Sequence, residues 1–450
     1  MKKILVLGAG QSSPYLIHTL LENSAEHDWF VTVGDLDVNL AQERVGRHER
    51  AEAVRFDMGD ADLRETLIQG ADVVVCMMPP IFQTSLATDC VRLKRSMISA
   101  SYRSAEIRDL ERDAERHGVL ILCEMGLDPG IDHMSAMCLI QNVQDEGGEI
   151  VGFCSYGSGI PAPDQPQNPL RYVITWNPRN VVMAGEAGAQ YLEDGRIKLT
   201  PYHKVFDRTW PVEVNGLGTL EAYANRDALS YMKLYGLEHT KTMVRGTLRY
   251  PGWSETWSAI VHLGLPNETL RIPNLARRSP REIVEMFLPL NLSDTDVQTE
   301  ERLARYLGIS LTGTVMENLR WLGLFDSKPC NCPGDTAADM MVGILRDKLP
   351  LGPGQRDMVV LKHQLDVEYP DDRPDKRVIS TLISKGEPGG FTAMSKAVGL
   401  PAAIGVKLYL TDQIHLTGTH IPTHPSIYEP ALRELAHAGM SFLEEEQNLD

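Results

Sequence analysis

The 450-residue sequence predicts an α/β protein in two or three domains: a doubly wound parallel sheet, then an α+β region with a mixed sheet, and an all-helical segment set within it. Three observations carry this prediction. Strand and helix signals alternate through residues 1–125. The strands there are continuous apolar runs, as a parallel sheet covered on both faces requires. Beyond about residue 126 the strands carry Thr, Val and Tyr and are separated by Gly, Pro and Asn turns.

The elements follow in order. KKILVLGAG reads as a strand and SPYLIHTLLENS as a helix; WFVTVGDLD, AEAVRFDMGD, ADVVVCMMPP, SMISASY and VLILCEMG continue the strands, with helices between them. In the next region EIVGFCSYGSGIP, YVITWNP, RIKLTPYHKVF and TMVRGTLRY read as strands. Residues 277–349 turn helical: SPREIVEMFLPL, with Ser at the cap, Pro at the first position and an acid at the third, then DTDVQTEERLARYLGI, TVMENLRWLGLF and DTAADMMVGILRDKL. Strands return in MVVLKHQLDVEY and KRVISTLIS, before the helices FTAMSKAVGLPAAIGVKLYL and IYEPALRELAHAG.

Composition narrows the function. A 43% hydrophobic and 23% charged chain is that of a soluble globular protein, and no apolar run approaches the roughly 18 residues of a membrane helix. KKILVLGAG is too short and too quickly ended by glycine for a signal peptide. A net charge of −17 without any Lys/Arg cluster argues against nucleic acid. An anionic substrate would need a few local arginines. Seven cysteines, an odd number without framework spacing, point to a reducing cytoplasm.

Gly8 and Gly10 follow the first strand and open the first helix, where a dinucleotide pyrophosphate needs close backbone approach and helix N–H groups. Gln11, Ser12 and Ser13 complete that turn, with Ser13 in place of the third glycine and Pro14 in the first helical turn. This is a Rossmann-type arrangement. Asp35 ends the second strand, where a carboxylate accepts both ribose hydroxyls of NAD and repels the extra phosphate of NADP; Asp37 competes for that role. The next arginine is Arg44. The expectation is therefore NAD, with NADP disfavoured. Asp57 in RFDM is either an adenine contact or a solvated strand end. Met77, Met78, Pro79 and Pro80 should border the nicotinamide after the fourth strand.

On the stretch EMGLDPGIDHMSAM the sequence resembles the saccharopine dehydrogenase family, in its glutamate-forming branch. SASYRSAEI, SYGSGIPAP, NPLRYVITWNPRNV, YANRDALSYMKLYG, TMVRGTLRYPGW and AMSKAVGLPAAIGVKLYL carry the likeness across most of residues 1–275 and 390–435. The resemblance implies a Rossmann domain at 1–125 with the segment 391–450 packed back on it. It also implies a catalytic and dimerisation domain at 126–276 and 350–390, and a helical subdomain at 277–349. It implies interconversion of saccharopine with glutamate and 2-aminoadipate 6-semialdehyde by a homodimer using a nicotinamide. Fungal members have an Arg after the second strand where this chain reads VGDLD, and a Cys where it has Gly157.

Saccharopine is a secondary amine with three carboxylates, so its clamps should be arginines. Arg226 and Arg245, assisted by Asn225, fill that role, with Arg103 and Arg171 as weaker candidates. Ser101 and Tyr102 lie at the end of the fifth strand, where Tyr102 either bonds the substrate or merely packs. Asp128 in GLDPG either relays a proton or shapes the turn before Pro129. His133 reads better as a packed helix residue than as a general base. Neither His415, His420 and His424 nor Cys330 and Cys332 form a complete ligand pattern, and no metal is expected. The rival readings are a carboxylated-polyamine dehydrogenase and a nicotinamide-binding protein without catalysis.

Overall fold

The computed structural model describes residues 1–165, 167–290 and 298–449. The chain forms two compact units, one of residues 1–150, 367–376 and 382–450, the other of residues 151–366 and 377–381.

In the first unit, β1 (Lys2–Leu7), β2 (Trp29–Asp35), β3 (Ala51–Arg55), β4 (Val73–Cys76), β5 (Ser96–Ser99) and β6 (Leu120–Leu122) form a parallel sheet, joined at its far edge by Gly418–His420. From that edge the order runs β6-β5-β4-β1-β2-β3. Progression outward therefore reverses between β1 and β4, and the loops after both strands open at their C-terminal ends. Such a reversal leaves a crevice for a ligand. Ile4 to Leu7 and Val73 to Cys76 are all buried, which is why these strands read as unbroken apolar runs.

Helix α1 (Pro14–Glu22) buries Leu16, Ile17, Leu20 and Leu21. The helix Ala393–Leu410 packs closely against it: a Cβ on Gly399 would lie 2.6 Å from the Leu16 amide nitrogen. Ser395 Oγ accepts a hydrogen bond from the Tyr15 amide at 3.1 Å, satisfying a donor that the first turn of a helix leaves open. Helix α2 (Val38–Val45) is capped by Asp37, whose carboxylate accepts from the Asn39 amide.

The second unit is built on a mixed sheet. Its strands are β7 (Glu149–Pro161), β8 (Ala189–Glu193), β9 (Arg196–Thr200), β10 (Thr209–Val214), β11 (Gly218–Ala224), β12 (Arg226–Asp227), β13 (Thr242–Arg249), β14 (Asp357–Glu368) and β15 (Lys376–Lys385). The order is β10-β11-β13-β7-β14-β15, with β8, β9 and β12 beside it. YVITWNP, expected as a strand, is irregular and makes only the bridge Ile174–Pro350. Its Tyr172, Val173 and Ile174 are buried, so their composition reflects packing and not pairing. Conversely β8, β10 and β11 form strands that the sequence reading omits.

Helices Pro280–Phe287, Thr299–Leu307, Thr314–Trp321 and Ala337–Lys348 occupy the helical segment. Ser279 and Glu282 form the expected capping box. Of the helix expected over 294–309, residues 294–297 lie outside the described ones. No helix among the described residues is long and apolar enough to cross a membrane.

Two outcomes follow from this packing. Gly399→Ala should lower stability by about 1–3 kcal/mol, measured by urea unfolding, because the added methyl meets the main chain of Leu16. Asp339 caps its helix through Thr336 and pairs with Arg179. Burial acts to raise its pKa, but the hydrogen bonds from Arg179 and Thr336 win and hold it down at about 2. A depressed carboxylate stabilises the fold above its unfolded pKa and loses that contribution as pH falls through its folded one. Asp339→Asn should therefore remove roughly 2 kcal/mol at neutral pH and flatten the stability change of this unit between about pH 4 and 2.

Candidate active site

The first unit gathers its candidates on the C-terminal edge of the sheet. Gly8 has φ +107, and a Cβ there would lie 2.7 Å from the carbonyl carbon and oxygen of Met77. Only glycine fits where the main chains after β1 and β4 meet. Nothing lies within 4 Å of where a Cβ on Gly10 would stand, so this turn keeps an open face. Ser13 is buried, and its Oγ donates to the Gly10 carbonyl at 2.9 Å, which explains why serine serves where a third glycine would stand. Gln11 is exposed and Ser12 half-buried at the start of α1. A tight glycine approach, an open turn and a helix N-terminus are what a pyrophosphate needs, and these residues fit a dinucleotide.

Asp35 Oδ2 accepts from the Ala9 amide at 2.7 Å and Oδ1 from the Asp37 amide at 3.0 Å. Both oxygens thus brace the main chain around the turn. Arg44 reaches back from α2, its Nε 3.4 Å from the Ala9 carbonyl. Asp57 closes a local turn, Oδ1 accepting from the Gly59 amide at 2.9 Å. Met78 is half-buried and Pro79 exposed in the loop after β4.

Ser101 and Tyr102 are half-buried in the loop after β5, and Asp128 is half-buried in the turn after β6. That turn is tight, since a Cβ on Gly130 would lie 2.1 Å from the Gly126 carbonyl oxygen. His133 is wholly buried on the helix Ile131–Asp145, its Nε2 bonded to Glu124 Oε2 at 2.7 Å. This is a packed, hydrogen-bonded histidine. Arg103 is held by the framework, its Nη1 donating to the Thr419 carbonyl at 2.6 Å.

In the second unit, β13 places Arg245 and Arg249 on one face, four residues apart on a strand of period two. Arg245 is 3% exposed, with its guanidinium carbon 4.5 Å from the centre of the Tyr231 ring. Its carbonyl accepts from the Asn225 amide at 2.8 Å, which brings Asn225 and the exposed Arg226 alongside it. Arg226 takes the left-handed conformation, φ +56. Arg249 is 4% exposed and lies over the rings of Trp253 at 4.8 Å and Tyr172 at 5.0 Å. Its Nε, buried, has no hydrogen-bond partner among the described residues. Arg171 lies over Tyr250 at 3.9 Å.

Arg249 and Glu124 are absent from the sequence-based candidates. The alternation within RGTLRY marks Arg249, and an acid closing the apolar strand VLILCEMG marks Glu124. The histidines near the C-terminus have separate local partners: Thr417 for His420, Ser426 for His424 and Asp412 for His415. Cys330 and Cys332 lie with their sulfurs 3.3 Å apart. Among the described residues no group of three or more His, Cys, Asp or Glu is placed to hold a metal. Burial lifts the Cys76 and Cys154 thiols to about 11.

The family model for the saccharopine dehydrogenase NADP binding domain matches residues 4–122, and that for the saccharopine dehydrogenase C-terminal domain matches residues 126–440. The mitochondrial alpha-aminoadipic semialdehyde synthase of Bos taurus is 32% identical over 448 residues, 98% of this chain and 47% of that protein. This chain spans about half the length of that relative. The NADP(+), L-glutamate-forming saccharopine dehydrogenase of Saccharomyces cerevisiae is 30% identical, covering 99% of both chains. The solved apo structure of the L-glutamate-forming saccharopine dehydrogenase of Saccharomyces cerevisiae superposes with a TM-score of 0.85 at 29% identity, covering 99% of this chain and 100% of that one.

The expected preference for NAD is corrected by these matches, which are to an NADP-binding domain and to NADP-linked relatives. The physical reason lies in the turn. Asp35 is engaged by two backbone amides, and Arg44, nine residues further on, is folded back to Ala9. With both domain models along one chain and a relative matched over its whole length, the chain belongs to the saccharopine dehydrogenase family.

Proposed function

We propose that this chain catalyses the reversible oxidation of saccharopine to L-glutamate and 2-aminoadipate 6-semialdehyde, with NADP as cofactor, in lysine metabolism. The observation that carries the reading is the pair of buried arginines on β13, with Arg226 and Asn225 beside Arg245. Guanidinium groups bind carboxylates bidentately, and saccharopine brings three carboxylates.

In this reading Arg226, Arg245 and Arg249 orient the substrate, and Asn225 supports its amino-acid end. The main-chain N–H groups of Gly10 to Ser13 hold the pyrophosphate, Gly8 permits its approach, and Arg44 meets the ribose phosphate. Asp57 lies toward the adenine end, and Met78 with Pro79 shields the nicotinamide from water. When bound, the nicotinamide supplies hydride transfer at the carbon next to the substrate nitrogen. The Tyr102 hydroxyl and Ser101 bond the polar groups around that nitrogen. The Asp128 carboxylate takes the proton from the water that releases the aldehyde. Work in a reducing compartment such as the cytoplasm, and as a homodimer, belongs to the same proposal; seven free thiols support the first.

Steady-state assay of the purified chain with saccharopine and NADP should give turnover, and none with carboxylated polyamines. Polyamine turnover alone would replace the reading. Arg226→Ala and Arg245→Met should each lower kcat/KM for saccharopine by roughly 2–4 kcal/mol while nucleotide binding holds, as when one side of a desolvated charge pair is removed. Equal loss of nucleotide affinity would remove both from the substrate.

Arg44→Ala should raise KM for NADP about tenfold or more and leave KM for NAD nearly unchanged, since a hydrogen bond to a charged group contributes about 1.5–3 kcal/mol. An unchanged ratio of the two cofactors would take Arg44 away from the phosphate.

A further inference from the structure

Glu124 sits at the end of β6 in the left-handed conformation, φ +61, and is 3% exposed. A charged, non-glycine residue in that conformation and at that depth calls for a reason. Its contacts supply one. The Glu124 amide donates to the Ser101 carbonyl at 3.0 Å, and its Oε1 accepts from the Arg103 amide at 2.9 Å. The two bonds fall on either side of Tyr102.

The other carboxylate oxygen, Oε2, meets His133 Nε2 at 2.7 Å. On the far side of the ring His133 Nδ1 is 3.6 Å from Asp132 Oδ2. Asp132 Oδ1 accepts from the Gly130 amide at 2.6 Å, inside the turn that carries Asp128. The turn is closed by the Gly126 amide donating to the Pro129 carbonyl at 3.1 Å. His133 is wholly buried and Asp132 is 1% exposed. One buried chain of polar contacts therefore runs from the loop after β5 to the turn after β6. Two proposed working side chains, Tyr102 and Asp128, stand at its ends.

We propose that Glu124 and His133 are positioning residues: a buried clamp that locks the Tyr102 loop and the Asp128 turn in mutual register. The left-handed backbone at Glu124 is what lets its amide and its carboxylate both turn to one loop. His133 transmits that placement through the interior to Asp132 and Gly130. Neither residue touches substrate, and the proposal rests on the saccharopine reading only in the task given to Tyr102 and Asp128.

The test uses the full chain and two measurements. Hydrogen–deuterium exchange needs no substrate. Glu124→Ala should speed exchange in both peptides 100–104 and 126–131, with the rest of the first unit unchanged. Glu124→Gln keeps the acceptor for the Arg103 amide and should restore most of that protection. A rise in only one peptide, or in neither, overturns the clamp. Should Glu124→Ala fail to fold, His133→Asn cuts the same chain at its other end and must give the same two-peptide pattern.

The kinetic measurement reads the consequence. Glu124→Ala should lower kcat for saccharopine by about 10²-fold, the scale of a small misplacement of reacting groups, with nucleotide affinity kept. In a background already carrying Tyr102→Phe and Asp128→Asn, the same change should cost little more, because residues that act through one another are not additive. Full additivity would show that Glu124 acts elsewhere and overturn the assignment. A wild-type chain without saccharopine turnover would remove the proposed reaction, while the exchange pattern would still decide the clamp.

Discussion

The main chains after β1 and β4 touch at Gly8, and much of the first unit follows from that contact. The approach leaves no room for a side chain, because a Cβ would sit 2.7 Å from Met77. The Gly8 amide donates to the Gly34 carbonyl at 2.8 Å and the Met77 amide to that of Leu7, also at 2.8 Å, so β1 is tied to both neighbours as it ends. The reversal of strand order falls at this point. The loops after β1, β2, β4, β5 and β6 then emerge on the same edge. Asp35 can brace Ala9, and Arg44 can reach it, because the turn is pinned there.

The second unit solves a different problem. The chain carries a net charge of −17, so any local positive field has to be built from individual guanidiniums. Several of its guanidiniums lie against aromatic faces: Arg245 on Tyr231, Arg249 among Tyr172, Tyr223 and Trp253, Arg171 on Tyr250. A ring face attracts a cation through its quadrupole without neutralising it. On Arg249 the stacking leaves the buried Nε without a hydrogen-bond partner among the described residues.

Legibility in the sequence followed the physics of each element. The strands of the first unit were plain because burial on both faces writes an unbroken apolar run, and Gly8 was plain because the turn admits nothing larger. YVITWNP misled because buried aromatic and β-branched residues look alike whether or not their backbone is paired. The β10–β11 hairpin turns through Asn215 and Gly216, a readable signal, but its strands carry polar residues on the outward face. Asp35 was found by its spacing, whereas the groups that occupy its oxygens are set by the fold. Arg44 lay too far along the chain to be placed beside Ala9 without the helix that returns it. Glu124 and Arg249 were each visible as a residue type, but only three dimensions give a residue its partners.

The bond from Tyr15 to Ser395 spans 380 positions of sequence. The first helix of the nucleotide-binding unit is therefore completed by a serine that a ribosome adds much later. At about 5–20 residues per second, that interval is roughly 20–80 s. Throughout it, the apolar shelf that receives Gly399 stands open to water. The nascent chain must either be sheltered or pass through a loosened form of its first domain. Translation speed along the rest of the message thus sets how long an unfinished surface is on offer to other chains.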